Sequence, residues 1–200
     1  MAGAISGPMI ARHRNIPRLW LMTDERVNED DLLAAVRRLP RGSGLIFRHY
    51  GLDRHARRAL FDHVRAIARR RGIAILLAGG AGLAAAWGAD GWHGLGQDRR
   101  RGRFLHSAPA HDVRQMRGAE RAGVDLLFVS PIFPTRSHPG ARSLGRVRFG
   151  LLARQAREPV IALGGMTAHR ARGLNLLGLY GWAAIDALTE RDQNLKIVPR

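Results

Sequence analysis

The sequence predicts an α/β protein, a single-domain (β/α)8 TIM barrel of close to minimal size. Short β-rich runs alternate with helical patterns about eight times, and such alternation implies parallel strands joined by right-handed crossovers. The length of 200 residues lies at the low end for this fold. No linker or break in composition divides the chain, and 46% of its residues are apolar, which suffices for one core. A doubly wound open sheet is the alternative architecture.

The first half of the chain alternates four predicted strands with three predicted helices. The helix over 53–70 is the clearest, because apolar residues from Leu60 to Ala68 form one stripe and arginines cover the opposite face. Gly72 ends this helix, and Pro40 stops the helix before it. In chain order the elements are strand 19–22, helix 30–39, strand 45–47, helix 53–70, strand 73–77, helix 83–87 and strand 90–93.

The second half continues the same alternation. Short apolar runs predict its strands, and Gly123 ends its first helix. Residues 1–18 lack the apolar run of a signal peptide and are predicted to be a flexible leader, and 191–200 a C-terminal tail. The elements are strand 103–106, helix 110–122, strand 125–129, helix 146–157, strand 160–163, helix 167–177 and strand 180–185.

A net charge of +17 is the most conspicuous bulk property of the chain. Lys196 is the only lysine, so arginines carry almost all of the positive charge. They are spread along the sequence, and the runs at 69–71 and 99–103 contain no aromatic residues that could stack on bases. We therefore interpret the charge as a solvated surface, and a basic barrel that binds nucleic acid is the less favoured alternative.

Composition also excludes several classes of protein. The chain has no cysteine, which excludes a disulfide framework, a thiolate zinc site and a cysteine nucleophile. No segment has the length and hydropathy of a membrane span. Without a targeting signal or cysteines, the sequence favours a cytoplasmic protein that does not contact membranes.

Five short motifs follow one another in a specific order and spacing. They are LWLMTD at 19–24, GADGWHGLGQD at 88–98, GRFLHS at 102–107, VSPIFPTRSHPG at 129–140 and PVIALGGM at 159–166. In this order they resemble the motifs of the thiamine phosphate synthase and TenI family, and the resemblance covers 19–190. It implies a (β/α)8 barrel, in agreement with the alternation of elements.

The resemblance implies a role in thiamine biosynthesis. Synthases of the family couple hydroxymethylpyrimidine pyrophosphate to a thiazole phosphate, and its tautomerases move a proton on the thiazole phosphate. We expect this chain to perform the coupling or to act on the thiazole phosphate. The alternative is a TenI-like tautomerase or a non-catalytic relative that binds the same ligand. The expected partner is a small phosphorylated thiazole or pyrimidine, and the sequence leaves the oligomeric state open.

The phosphate-binding end of the predicted site is well represented. Gly164 and Gly165 would present backbone N–H groups to a phosphate. Thr135 and Ser137 are short hydroxyl donors expected at the rim of the ligand site. Asp186 stands where the family commonly has a serine near the phosphate, and its charge would repel that phosphate unless a cation offsets it.

The magnesium and pyrophosphate end departs from the family pattern. The resemblance implies Mg2+, held partly by an Asn-Asp pair, but Ala78 and Gly79 occupy those positions. Asp98 is the remaining predicted metal ligand, and one carboxylate makes a poor Mg2+ site. Gln97, in the same motif, is expected to contact the substrate.

Three residues are predicted to be catalytic. Arg48 retains the arginine of the family's second strand, where it would bind pyrophosphate oxygens, whereas Tyr50 replaces a lysine. A proton shuttle needs a histidine. The family's tautomerases place one at the position of Pro131, so we expect His106 and His138 to act instead.

Overall fold

A computed structural model of the chain describes residues 16–96, 104–137 and 140–190. Most of the predicted leader and the predicted tail lie outside these ranges. Eight parallel strands close into a barrel in chain order, with β8 hydrogen-bonded to β1. Closure confirms the predicted (β/α)8 barrel and excludes the open sheet. The strands are β1 (Leu19–Met22), β2 (Gly44–Phe47), β3 (Ala74–Ala78), β4 (Gly91–His93), β5 (Leu105–Ala110), β6 (Leu126–Val129), β7 (Val160–Ala162) and β8 (Gly181–Ala184).

The helices surround the barrel and begin and end at recognisable capping residues. Asp53 caps α2 by accepting hydrogen bonds from the backbone N–H groups of His55 and Ala56. Gly72 ends α2 in the left-handed conformation, with φ of 62°. The helices are α1 (Glu29–Arg38), α2 (Arg54–Arg71), α3 (Ala81–Trp87), α4 (Val113–Ala122), α5 (Gly145–Gln155), α6 (Ala168–Arg172) and α7 (Asp186–Thr189). None of the helices in the described ranges is long and apolar enough to cross a membrane.

Alternating side chains of the strands form an interior core and an outer core. Trp20 and Phe128 meet edge to face inside the barrel, with ring centroids 5.5 Å apart. The opposite faces of the strands pack against the helices in two further apolar clusters. The apolar interior contains Trp20, Met22, Ile46, Leu76, Ala78, Leu105, Leu126, Phe128, Ile161, Ala183 and Ile185. The barrel is therefore a packed core, and open space is left only at its ends.

Most predicted elements agree with the structure to within two residues at each end, and the larger differences lie in the second half of the chain. The helix predicted over 110–122 begins at Val113, because β5 continues to Ala110 through its ladder with β6. The helix predicted over 167–177 is interrupted at Gly173 and resumes as a 3-10 turn at Asn175–Leu177. The residues that follow the last predicted strand form the short helix α7.

Candidate active site

A cavity of about 630 Å³ opens at the carboxyl ends of the strands. The loops after β2, β5, β6, β7 and β8 all contribute to its walls. This is the end at which (β/α)8 enzymes bind their substrates. Of the predicted site residues, the cavity brings together Arg48, Thr135, Ser137, Gly164 and Gly165.

The glycine turn after β7 forms one wall of this cavity. Gly164 and Gly165 have φ of 92° and 59°, conformations that favour glycine. A Cβ on Gly164 would lie 2.7 Å from the Cα of Pro131, so the two backbones are in close contact. Among the residues that the structure describes, no group accepts a hydrogen bond from the N–H of Gly164 or Gly165. Since Gly164 is buried, its unpaired N–H is a donor in need of a ligand acceptor.

Guanidinium groups surround the glycine turn. Arg170 donates from Nη1 to the carbonyl of Gly165 and lies over the ring of Phe133, 4.8 Å from its centroid. Arg142 and Arg136 reach the same cavity from the loop after β6. The residues that line the cavity include four arginines and two carboxylates, so the lining has a net positive charge. Such a lining suits a phosphate monoester.

Ion pairs offset the charge of Asp186 at this end of the barrel. Arg136 donates from Nε to Oδ2 of Asp186 at 3.1 Å, and Arg26 lies 3.6 Å from Oδ1. Arg136 also pairs with Glu190. These ion pairs therefore reduce the repulsion of phosphate expected from Asp186. They also leave Arg136, which lines the cavity, with less positive charge for a ligand. Thr135 and Ser137, beside Arg136, hydrogen-bond to each other through their hydroxyls at 3.0 Å.

Arg48 is held in place by the loop after β1. Its Nη2 donates to Oδ2 of Asp24 at 2.8 Å, and its Nε donates to the carbonyl of Thr23 at 2.6 Å. Burial works against ionisation of Asp24, but hydrogen bonds from Arg26 and the charge of Arg48 outweigh it and lower the pKa of Asp24. The carboxylate therefore stays charged and neutralises Arg48, which leaves that guanidinium less positive charge for a pyrophosphate.

His106 lies on the outer face of β5. Its ring stacks on Trp92 with centroids 3.8 Å apart, and its Nε2 lies 3.1 Å from the carbonyl oxygen of Gly94. It shares this face with Ala108 and Ala110, which pack in the outer core. This placement argues for packing rather than catalysis at the mouth. His138, Gln97 and Asp98 lie outside the described residues.

The structure places His111 and His93 near the site, and the sequence singled out neither of them. His111 lines the cavity at the end of β5. The ring of His93 points into the barrel, where it packs edge-on to Phe128 at 5.2 Å. Asp112 could have located His111 from the sequence. Asp112 is an N-capping residue and marks the start of a helix, so the histidine before it lies at the end of the preceding strand.

The model of the thiamine monophosphate synthase family matches residues 19–188. A putative thiamine-phosphate synthase 2 of Aquifex aeolicus is 29% identical over 184 residues, which cover 88% of this chain and 99% of that protein. A thiamine-phosphate synthase of Geobacillus thermodenitrificans is 32% identical over 150 residues, which cover 68% of this chain and 66% of that protein. A thiamine phosphate pyrophosphorylase from Pyrococcus furiosus superposes with a TM-score of 0.73 at 21% identity, over 90% of this chain and 91% of that one.

The chain belongs to the thiamine monophosphate synthase family. This confirms the resemblance inferred from the five motifs and the predicted role in thiamine biosynthesis. Membership also implies a small phosphorylated pyrimidine or thiazole as ligand, in agreement with the cationic cavity.

Mg2+ binding, which the family implies, is not supported by the described residues. The positions of the family's Asn-Asp pair are Ala78, at the end of β3, and Gly79. Asp24, a partly buried carboxylate on the loop after β1, is paired with Arg48 and Arg26. No group of three potential ligands that could hold a metal occurs within 16–96, 104–137 and 140–190. Mg2+ prefers an octahedral shell of oxygens, which these groups do not provide.

Replacing Asp186 with asparagine is expected to tighten phosphate binding by about threefold to tenfold. The change removes a negative charge beside the cavity and leaves Arg136 paired only with Glu190. The measurement is the Kd of thiazole phosphate by calorimetry at low and high salt. Asp62→Asn, which breaks an ion pair with Arg58 on α2, is the matched control. Weaker binding in Asp186→Asn would contradict this account and make Asp186 the residue that positions Arg136.

Proposed function

We propose that the chain binds a thiazole phosphate in the cavity at the barrel mouth and moves a proton on the bound ring without Mg2+. The observation that carries the proposal is the glycine turn, whose unpaired N–H groups lie in the wall of a cavity that is also lined by arginines. Backbone N–H groups and guanidinium groups together give a phosphate monoester both directional hydrogen bonds and charge. The ring of the ligand would then extend toward His111 and Arg48, which line the same cavity.

The geometry around β1 to β3 supports isomerisation over coupling. Departure of pyrophosphate needs cations around its oxygens, usually with a metal ion. Arg48 is paired with Asp24, and Arg57 donates to the carbonyl oxygens of Arg48 and Ala78. Tyr50, in place of the family's lysine, is 63% exposed. The cationic groups near this half of the barrel are thus used to fix the backbone.

Coupling of the two thiamine precursors is the second candidate, and family membership favours it. Relatives about 30% identical to this chain carry the name thiamine-phosphate synthase. If coupling occurs, part of the pyrophosphate site must come from residues beyond the described ranges, which include Asp98.

One set of assays separates these functions. Thiazole phosphate is expected to raise the Tm of the pure protein, and the unphosphorylated thiazole alcohol is expected to leave it unchanged. Proton NMR in D2O is expected to show isomerisation of the tautomeric thiazole phosphate at the same rate with Mg2+ or EDTA. Thiamine phosphate formed from both precursors, only with Mg2+, would overturn the proposal in favour of coupling. Failure of thiazole phosphate to bind would overturn both functions.

A further inference from the structure

We propose that His111 is the catalytic acid–base of this site, the group that removes the proton from the thiazole ring and returns it. The inference rests on the proposed function, which it deepens by naming the residue. His111 lines the cavity at the end of β5 and is exposed to it.

The hydrogen bond between His111 and Ser130 fixes which ring nitrogen keeps its lone pair. Its Nδ1 lies 2.6 Å from the carbonyl oxygen of Ser130, which can only accept a hydrogen bond. In the neutral ring the hydrogen therefore sits on Nδ1, and the lone pair is left on Nε2. A carbonyl that orients a histidine in this way prepares the opposite nitrogen to act as a base. The backbone N–H of His111 donates to Oε1 of Gln115 on α4, which fixes the residue further.

The same short segment connects His111 with the phosphate-binding turn. Ser130 accepts the hydrogen bond from His111, and the next residue, Pro131, lies against Gly164. The backbone N–H of Phe133 donates to the carbonyl of Gly164 at 3.1 Å, which ties this loop to the turn. A phosphate at the turn and an imidazole at Ser130 are therefore held by one rigid unit. Such a fixed relation between binding group and base is what proton transfer needs.

The charges around the cavity favour removal of a proton from the ligand. Loss of a proton from carbon leaves negative charge on the heterocycle, which fixed guanidinium groups stabilise. Arg142 and Arg170 line the cavity and form no ion pair with a carboxylate of the described residues, and the cavity's own carboxylates, Asp186 and Glu190, are paired with Arg136. The step is balanced within the ligand. Nε2 takes the proton, the C–H electron pair enters the conjugated ring, and the imidazolium returns a proton to a second position of that ring.

His106 and His93, the histidines of β5 and β4, are less suited to the task. The ring of His106 is stacked on Trp92 on the outer face of β5. His93 is buried in the barrel beside Phe128, with Nδ1 2.9 Å from the hydroxyl of Ser107, and does not line the cavity. Of the described histidines, His111 alone lines the cavity.

The test compares His111→Gln with wild type in two measurements. Isomerisation of the thiazole phosphate is expected to slow by about 100-fold or more, the usual contribution of a general base. The Kd of thiazole phosphate is expected to stay within about threefold, because the glycine turn holds the phosphate. In His111→Ala, added imidazole is expected to restore part of the rate. His55→Gln, on the outer helix α2, is the control and is expected to keep the wild-type rate.

Three results would overturn the inference. His111→Gln could retain a rate within threefold of wild type. It could lose binding and turnover in equal measure without rescue by imidazole, which would make His111 a structural residue. Wild type could bind thiazole phosphate without isomerising it, in which case the proposed function fails first and takes the inference with it.

Discussion

Replacement of Gly164 by alanine is expected to abolish binding of thiazole phosphate and to lower the free energy of unfolding by about 2–5 kcal/mol. A φ of 92° costs an alanine about 1–2 kcal/mol. The added Cβ would also lie 2.7 Å from the Cα of Pro131, a backbone atom that cannot rotate away. Relief of such overpacking typically costs about 1–3 kcal/mol and would separate the turn from the loop after β6.

The effect on binding follows from the same contact. The N–H groups of Gly164 and Gly165 can point at one phosphate only while the turn keeps its left-handed conformation. If the turn is displaced, these donors leave their places in the cavity wall, and we expect the affinity for thiazole phosphate to fall by at least 100-fold. Urea unfolding and calorimetric titration measure the two effects separately.

A matched control is available at the end of α2. Gly72 has φ of 62°, but a Cβ there would meet no atom within 4 Å. Gly72→Ala should therefore lower the free energy of unfolding by about 1–2 kcal/mol, the cost of the left-handed backbone for alanine. Its affinity for thiazole phosphate should stay that of wild type. Arg170→Gln tests the site without backbone strain and is expected to weaken binding by tenfold or more. Normal affinity in both Gly164→Ala and Arg170→Gln would show that the phosphate binds elsewhere.

The barrel and the glycine turn after β7 could be predicted because each has a local cause in the sequence. The strand predicted over 19–22 is observed without change as β1, since an apolar run between polar residues marks a buried strand. The left-handed turn at Gly164 is likewise local, because only glycine takes that conformation without strain. The extent of β5 was not predictable in this way. Its second half, which includes Pro109, has no apolar run and is held by pairing with β6.

The assignment of residues within the site depended on contacts that no local pattern contains. Arg48 directly follows β2, but its pairing with Asp24 joins two loops that are separate in the sequence. His106 was placed in the site by its motif, whereas the alternation of β5 directs its side chain outward. Because the end of β5 was not predicted, His111, which directly follows it, was not recognised as a residue of the site. The net charge shows the same limit. A charge of +17 favours a solvated surface over a nucleic-acid site but does not tell which arginines line the cavity, where they suit a small phosphate ester.

His93 is expected to make the protein sensitive to acid well above the pH at which carboxylates are protonated. Burial, followed by the charges of Arg48 and His106, lowers the pKa of His93 to about 3 from an ordinary value of 6.5. Between these two values the unfolded chain binds a proton that the folded chain does not. The free energy of unfolding therefore falls as the pH falls from 6.5 toward 3, by about 1.4 kcal/mol for each pH unit.

The His93→Gln variant isolates this contribution, because it removes the titrating group and keeps a polar side chain beside Ser107. At pH 8 the ring of His93 is neutral in both states, so the difference in stability between wild type and variant reflects packing alone. At pH 4.5 wild type should have lost about 2–3 kcal/mol more than His93→Gln relative to pH 8. Urea unfolding at the two pH values gives this difference, and the NMR shift of the ring Cε1 proton should stay that of neutral imidazole at pH 4.5. Equal losses in the two proteins, or a charged ring at pH 4.5, would show that the barrel admits a protonated histidine. In that case the interior beneath the cavity would be polar enough to hold a charge.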